Sequence, residues 1–287
     1  MTHSKSTSKS NQGGTLYIVA TPIGNLKDMT FRAVEVLQHV NVVACEDTRT
    51  SHVLLAHYGV KTPTLSFHEH NSTSMIEKLI ARLDAGESIA LLSDAGTPLI
   101  SDPGEGLVKA VWAAGHTVVP IPGASATMAA LSAAGVATDG FYFAGFLPTK
   151  TSERKARIAF LRALPTTLVL FEAPHRIGET LESLNESMGD RTAVIARELT
   201  KTHETFHRGT IASLTKEMTD KKPKGEIVLL IEPAAAEGVL NDAAMVDALL
   251  KDALSRLPKS AASAEVAKAT GLPRQEIYAR AITLSEE

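Results

Sequence analysis

Cysteine is almost absent from this sequence of 287 residues, which contains Cys45 and no other thiol. A single cysteine excludes an intrachain disulfide and a zinc site built from several thiolates of one chain. It is also typical of proteins that work in a reducing compartment, so we expect a cytoplasmic location.

Targeting signals and strong charge are also missing. Residues 1–13 lack the apolar run of a secretory signal, and we predict that they form a disordered tail. The stretch 117–138 has no charged residue and is long enough to span a bilayer, but Pro120, Pro122 and Gly123 interrupt it, so we predict a buried strand, loop and helix there. The net charge of −3 argues against coating of nucleic acid by bulk charge and leaves room for a local basic groove.

Several common catalytic motifs are absent too. The sequence has no G-x-G-x-x-G loop or P-loop for a nucleotide phosphate, and no G-x-S-x-G elbow for a serine hydrolase. His68 and His70, with Glu69 and Glu46 nearby in the pattern, have no third ligand at a defined spacing, so we predict no metal site. Cys45 is interpreted as a small buried apolar residue rather than a nucleophile.

The first half of the chain contains five short apolar runs that alternate with helical patterns. Strands are expected at 16–20, 40–44, 64–67, 89–92 and 117–121, and one of the intervening helices at about 51–58. This alternation is typical of a mostly parallel sheet with helices on its faces. We therefore predict an α/β domain over residues 14–137.

Loops of small or polar residues follow all five predicted strands. If the sheet is parallel, these loops open on the same edge, where open α/β sheets bind their ligands. The loop that begins at Ser93 is the longest, and its Gly96 would let a ligand approach the backbone closely. Turn residues dominate any loop, so a plain strand-to-helix connection is the alternative interpretation. The five loops are 21–25, 45–49, 68–71, 93–102 and 122–125.

The pattern changes in the second half of the chain. We predict a second, α+β domain with a partly antiparallel sheet over residues 138–233, followed by a linker over 234–240. Residues 241–287 are expected to form a small helical module, either a helix-turn-helix or a capping bundle. The run from Lys150 to Arg162 has five basic residues and one acidic residue, Glu153. It is either a solvated helix face or a patch that follows RNA phosphates.

Seven short segments extend over both halves of the chain. They are LYIVATPIGNL at 16–26, EDTR at 46–49, SDAGTP at 93–98, PGAS at 122–125, GFLP at 145–148, FEAPHR at 171–176 and ARELTK at 196–201. Together they resemble the ribosomal RNA small subunit methyltransferase I family of the tetrapyrrole methylase superfamily. The resemblance extends from about residue 14 to 232, and the region from 241 onward is similar to the family's C-terminal helical module.

The resemblance implies a two-domain α/β tetrapyrrole-methylase-like fold with a parallel-sheet first domain, a mixed-sheet second domain and the helical module. It implies a homodimeric enzyme that methylates the ribose 2′-hydroxyl of a decoding-centre cytidine in the rRNA of the small ribosomal subunit. S-adenosylmethionine would be the methyl donor, held between the domains. The donor contacts carried over from the family are Pro22, Ile23, Gly24, Asn25, Ser93, Asp94, Ala95, Gly96, Thr97, Pro98, Ser101, Ser125, Ala126, Leu147, Glu226 and Ile227.

A ribose hydroxyl is a poor nucleophile, so a positioned base would assist methyl transfer. The carboxylates proposed for this role are Glu46, Asp94 and Glu198, with Asp47 and Glu172 as further candidates, and a structural or donor-positioning role is the alternative for each. The basic residues expected to contact RNA are Arg49, Arg154, Lys155, Arg157, Arg176, Arg197 and Lys201. Two other functions stay open: methylation of a tetrapyrrole ring carbon, and a non-catalytic RNA-binding or ribosome-assembly role.

Overall fold

A computed structural model describes residues 14–68, 71–221, 223–234, 243–270 and 272–284. Its first sheet has the strand order β3-β2-β4-β1-β5, and neighbouring strands run parallel, as the sequence predicts. The strands are β1 (Thr15–Val19), β2 (Val42–Cys45), β3 (Thr64–Ser66), β4 (Ser88–Leu92) and β5 (Thr117–Ile121).

Helices cover both faces of this sheet. Helices α1 and α2 pack on one face through Leu37 and Leu55, and α3 and α4 pack on the other through Leu79 and Leu107. Burial on both faces explains why the central strands are continuous apolar runs. The helices are α1 (Phe31–His39), α2 (Thr48–His57), α3 (Ser72–Asp84), α4 (Glu105–Ala113) and α5 (Ala126–Ala134), and a short 3₁₀ helix spans Leu26–Asp28.

The second sheet is mixed, with the strand order β6-β7-β10-β8-β9. Strands β6 and β7 are parallel. Strands β8 and β10 are antiparallel, because Glu198 pairs with Glu226 at one end and Glu232 with Thr192 at the other. The elements are β6 (Phe141–Phe146), α6 (Thr151–Arg162), β7 (Thr167–Glu172), α7 (Ile177–Met188), β8 (Thr192–Arg197), β9 (Thr205–Thr210), α8 (Ile211–Lys221) and β10 (Ile227–Ile231).

Three helices at the C-terminal end share a small core of their own. They are α9 (Ala243–Arg256), α10 (Lys259–Thr270) and α11 (Arg274–Leu284). Val246, Leu250, Ala262 and Ile277 are among the buried side chains of this core. The predicted tail over 1–13 and nearly all of the predicted linker lie outside the described residues.

By their internal contacts the described residues divide into two compact units. The first holds the residues up to Gly135 together with 195–207 and 224–228, and the second holds the rest. The domain boundaries drawn from the sequence stay a prediction. The uncharged stretch 117–138 forms β5 and α5, and none of the described helices has the length and apolar character needed to cross a membrane.

Candidate active site

Four loops open on the carboxyl edge of the first sheet, because the strands that precede them are parallel. The loops after β1 and β4 are joined directly. The N–H of Thr21 donates to the carbonyl of Gly96 at 2.8 Å, and the N–H of Gly96 donates to the carbonyl of Thr21 at 3.1 Å. The buried Thr21 hydroxyl also donates to the carbonyl of Ser93 at 3.3 Å. These two predicted loops therefore form one rim.

The loop after β5 is tied to the same rim. The Thr97 hydroxyl donates to the carbonyl of Ala124 at 3.2 Å. A Cβ atom on Gly123 would lie 3.0 Å from the Cβ of Ala20, so a residue without a side chain lets this loop pass close to the end of β1. Ser125 then caps helix α5, because its side chain accepts a hydrogen bond from the N–H of Met128.

The long loop after β4 has an unusual backbone. Among the described residues, four that are not glycine have a left-handed φ, and Leu99 and Ser101 lie in this loop while Glu198 and Thr200 follow β8. Such conformations are uncommon and concentrate at functional sites. Of the donor contacts predicted in the loop, Ser93, Gly96 and Pro98 are buried, Thr97 is half-buried, and Asp94, Ala95 and Ser101 are exposed.

The loop after β1 contains four predicted donor contacts. Pro22 and Ile23 are buried, whereas Gly24 and Asn25 are exposed. The Asn25 side chain accepts a hydrogen bond from the N–H of Lys27 at 3.1 Å and so caps the short 3₁₀ helix. The exposed backbone at Gly24 and Asn25 follows two buried residues that fix its position, so it is suited to holding a ligand by main-chain contacts.

An acidic group lies where β2 and β4 end. The Asp94 carboxylate accepts a hydrogen bond from the N–H of Asp47 at 3.3 Å. Burial raises the pKa of Glu46, and the negative charges of Asp94 and Asp102 raise it further, while His68 acts in the opposite direction. Burial also raises the pKa of Asp102. The site therefore offers a carboxyl group with more than ordinary proton affinity.

Asp47 and Arg49 form a local pair rather than two free groups. Asp47 caps helix α2, which begins at Thr48, so the expected start near residue 51 is wrong by one turn. The Arg49 guanidinium donates to both carboxylate oxygens of Asp47, at 3.1 and 2.7 Å. The hydrogen bonds from Arg49 lower the pKa of Asp47 to about 2, which makes Asp47 a poor base. Arg49 remains largely exposed.

The segment after β8 lies against the loop after β1. A Cβ atom on Gly24 would lie 2.6 Å from the Lys201 Cγ, so the lysine stem crosses directly over this glycine. The Lys201 ammonium donates to Glu198 at 2.9 Å and to Glu226 at 3.0 Å. Glu198 also accepts from the N–H of Glu226 at 3.1 Å, and the bond from Lys201 lowers its pKa. Ile227 is buried beside Glu226.

These contacts bear on two sequence-based expectations, the roles of Glu198 and Lys201, which stay predictions. Glu198 is a tie between two loops, and its lowered pKa is the opposite of what a general base needs. Lys201 is occupied by two carboxylates, so its ammonium is not available for an RNA phosphate in this arrangement. Arg197 is half-buried, and its positive charge also lowers the pKa of Glu198.

Two hydroxyls at these loops were missed by the sequence analysis. Thr127 Oγ1 and Thr200 Oγ1 are buried and have no hydrogen-bond partner among the described atoms. Buried polar groups are normally satisfied, so an orphan hydroxyl at a binding rim is a candidate ligand contact. Thr127 directly follows the predicted contact Ala126, and that adjacency was the available signal.

The basic residues predicted on the second unit divide into occupied and available groups. The Arg154 side chain is only 4% exposed and pairs with Glu179. Arg176 pairs with the buried Glu172 at 3.4 Å and donates to the carbonyl of Leu147 at 2.9 Å. Arg154 and Arg176 are therefore engaged in contacts within the second unit, and their expected role as RNA contacts stays a prediction.

Glu172 and Leu147 are fixed by the same contacts. Glu172 also accepts hydrogen bonds from the Thr180 hydroxyl at 2.6 Å and from the N–H of Ala173 at 2.8 Å, so both of its carboxylate oxygens are engaged. Leu147 is buried, and its carbonyl is taken by Arg176. Lys155 is exposed and Arg157 half-buried.

The described residues contain no group of three or more ligands that could hold a metal. His68 interacts electrostatically with Glu46. Glu69 and His70 lie outside the described residues. The groups described on this rim are hydroxyls, backbone groups and carboxylates.

Known structures share this fold. The uroporphyrin-III C-methyltransferase from Thermus thermophilus has a TM-score of 0.53 and 23% identity, over 76% of this chain and 94% of that one. Diphthine synthase has a TM-score of 0.58 and 18% identity, over 76% and 90%. The family model described as Tetrapyrrole (Corrin/Porphyrin) Methylases matches residues 15–215, which defines the class of protein.

Relatives in sequence narrow this class. A protein of Mesorhizobium japonicum named Ribosomal RNA small subunit methyltransferase I is 48% identical over 94% of this chain and 92% of its own. The protein of the same name from Synechocystis is 46% identical over 96% and 99%, and that from Escherichia coli O157:H7 is 44% identical over 96% and 97%. The model described as RsmI C-terminal HTH domain matches residues 241–285. The chain belongs to the ribosomal RNA small subunit methyltransferase I family of the tetrapyrrole methylases.

Proposed function

We propose that this protein transfers a methyl group from S-adenosylmethionine to the ribose 2′-hydroxyl of a cytidine in the decoding centre of small-subunit rRNA. The observation that carries the proposal is the near full-length similarity to relatives named for small-subunit rRNA methylation. The joined loops at one sheet edge support it, because such an edge is where this class of sheet binds ligands.

The donor would be held by the loops after β1, β4 and β5. The fit rests on three observations: small residues line the rim, Asp94 and Ala95 are exposed, and Thr127 and Thr200 carry orphan hydroxyls. The proposed contacts in the first unit are Pro22, Ile23, Gly24, Asn25, Ser93, Asp94, Ala95, Gly96, Thr97, Pro98, Ser101, Ser125, Ala126, Thr127, Thr200, Glu226 and Ile227. Leu147 is a further contact that the family resemblance implies.

The acidic group favours a cationic ligand over a neutral one. When bound, the donor supplies a methyl group on a positively charged sulfur, and the product left after transfer is a neutral thioether. The carboxylates of Asp94 and Asp102 provide a negative potential that stabilises positive charge. We therefore expect the protein to bind the donor more tightly than the thioether product.

Glu46 is the proposed base. It is half-buried, its pKa is raised, and it lies beside the proposed donor contact Asp94. Its carboxylate would accept the proton of the ribose hydroxyl as the oxygen attacks the methyl group. Asp94 stays in the proposal as the charge that stabilises the sulfonium, and Glu198 as a positioning residue. The RNA would be contacted by Arg49, Lys155, Arg157 and Arg197.

A methyl-transfer assay with labelled donor and small ribosomal subunits that lack this modification tests the function. The expected product is label in the small-subunit rRNA, in a dinucleotide that resists alkali because its ribose hydroxyl is methylated. Label on a base, or on a porphyrinoid ring supplied instead, would contradict the proposal. Binding of RNA without binding of the donor in calorimetry would favour a non-catalytic assembly role.

The family resemblance also extends the proposal to a homodimer located in the cytoplasm. Sedimentation at micromolar protein concentration tests the dimer. A mass of a single chain across the concentration range would remove the dimer from the proposal and leave the chemistry in place.

A further inference from the structure

An aromatic and cationic cluster lies on the second unit, where helix α6 packs beside the edge strand β6. It consists of Tyr142, Arg157 and Phe160, and we name it the arginine–aromatic cluster. The guanidinium carbon of Arg157 is 5.2 Å from the ring centroid of Phe160 and 5.5 Å from that of Tyr142. The two rings meet edge to face with centroids 6.0 Å apart. Arg157 also donates to the Tyr142 hydroxyl at 3.2 Å, which fixes the plane of the guanidinium.

Within the cluster Phe160 is exposed to solvent, and Tyr142 and Arg157 are half-buried. Phe160 lies in the last turn of α6 and is 49% exposed, so its ring is accessible from solvent. Across the described ranges no carboxylate forms an ion pair with Arg157 or with the exposed Lys155. The nearby Glu153 is paired with Lys150 at 3.0 Å. A contact that only held α6 against β6 would not need an exposed ring or a guanidinium without a carboxylate partner.

We propose that the arginine–aromatic cluster stacks an unpaired nucleobase of the rRNA substrate, with Lys155 contacting a neighbouring phosphate. The inference rests on the proposed function, because it assumes an RNA substrate. Bases stack on aromatic rings and guanidinium planes, and cationic side chains neutralise the adjacent backbone. A single-stranded segment fits this chemistry, since its bases are free to leave the helical stack.

The test is a fluorescence titration of the full-length protein into a single-stranded oligoribonucleotide of about ten nucleotides, one of which carries 2-aminopurine. Stacking on a ring quenches this fluorescent base, so titration reports both affinity and stacking. Phe160→Leu keeps the apolar contact with Tyr142 but has no ring, and we expect about tenfold weaker binding with less quenching. Phe160→Tyr keeps the ring and should bind as the wild type does. Phe31→Ala is the matched control, because Phe31 is 92% exposed on the first unit.

Salt dependence separates stacking from charge. Phe160→Leu should leave the slope of log K against log salt unchanged. Lys155→Ala should reduce its magnitude by about 0.7, the value for one phosphate contact on a single strand.

Wild-type affinity and quenching in Phe160→Leu would overturn the inference, as would an equal loss in Phe31→Ala. Donor binding and methyl transfer by the wild type are measured in parallel. If the wild type transfers methyl to rRNA while Phe160→Leu binds RNA normally, only the cluster proposal fails. If the wild type transfers none, the proposed function fails independently of the cluster.

Discussion

Glu46 owes its raised proton affinity to burial, with Asp94 and Asp102 adding to the effect. A base with a raised pKa becomes active at higher pH than an ordinary glutamate, because only its ionised form accepts a proton. We expect the single-turnover rate to rise with pH through the pKa of Glu46 and then to level off. Asp102→Asn removes a neighbouring negative charge, so it should lower that pKa and move the acid limb to lower pH.

Glu46→Gln should reduce the single-turnover rate by about a hundredfold and abolish the acid limb, while donor affinity measured by calorimetry is retained. Glu77→Gln, on the exposed side of α3, is the matched control and should behave as the wild type. A normal rate in Glu46→Gln would exclude Glu46 as the base.

Gly24 combines two requirements that few other glycines share. Its φ is +151°, and a Cβ atom would lie 2.6 Å from the Lys201 stem. Gly24→Ala should therefore displace Lys201 or the loop after β1, and we expect at least tenfold weaker donor binding. Gly59→Ala is the matched control, because Gly59 also has a positive φ but a Cβ atom there meets nothing within 4 Å.

Gly59→Ala should lower stability by about 1 kcal/mol and leave donor affinity unchanged. Calorimetric titration with the donor and urea unfolding of both variants make the comparison. Equal donor affinity in the two variants would show that the contact between Gly24 and Lys201 does not shape the site.

Helices α6 and α7 are joined by the pair between Arg154, which is 4% exposed, and Glu179, which is 62% exposed. Removing the carboxylate leaves a buried guanidinium without its partner, so Glu179→Gln should destabilise the protein by about 1–3 kcal/mol. Arg154→Met removes the buried charge and keeps most of the volume, so its stability should be close to that of the wild type.

Urea unfolding measures both variants, and RNA affinity is measured alongside. Because Arg154 is buried, Arg154→Met should bind RNA as tightly as the wild type does. A loss of RNA affinity without a loss of stability would restore Arg154 to the set of RNA contacts.

Across the whole molecule, local patterns predict the sheets, whereas partners distant in sequence decide the roles of charges. The strands of the first sheet are buried on both faces, so their apolar runs stand out, and parallel pairing brings the following loops together. The basic run on α6 resembles a solvated face because the partner of Arg154 is on another helix. In the same way Lys201 meets Glu226 only through the pairing of β8 with β10.

The orphan hydroxyls show the same limit at the candidate site. In the sequence Thr127 is an ordinary residue of a predicted helix and Thr200 an ordinary residue of a loop, and the burial of their hydroxyls without a partner is a property of the folded chain. The raised pKa of Glu46 likewise depends on burial and on the charges of Asp94 and Asp102, which follow a different strand. Residue types therefore predict that these loops share one sheet edge. Which of their side chains lack a partner, or have a shifted pKa, is decided by packing in the folded chain.

Among the described residues, the buried side chains in the core of the helical module come from α9, α10 and α11. Leu250 is fully buried. Leu→Ala at such a site lowers the free energy of unfolding by about 2–5 kcal/mol, which is comparable to the whole stability of a small core. Leu250→Ala should therefore unfold the module while donor affinity is unchanged, because the proposed donor loops belong mainly to the first unit.

Calorimetric scanning should show the loss of one transition in Leu250→Ala, with the transition of the sheets at its wild-type temperature. Leu79→Ala, in the core of the first unit, is the matched control and should lower the transition of the sheets and weaken donor binding. If Leu250→Ala abolished donor binding, the module would be part of the donor site. If donor binding persists, the change in RNA affinity of the same variant measures the contribution of the module to substrate recognition, because its other functions are intact.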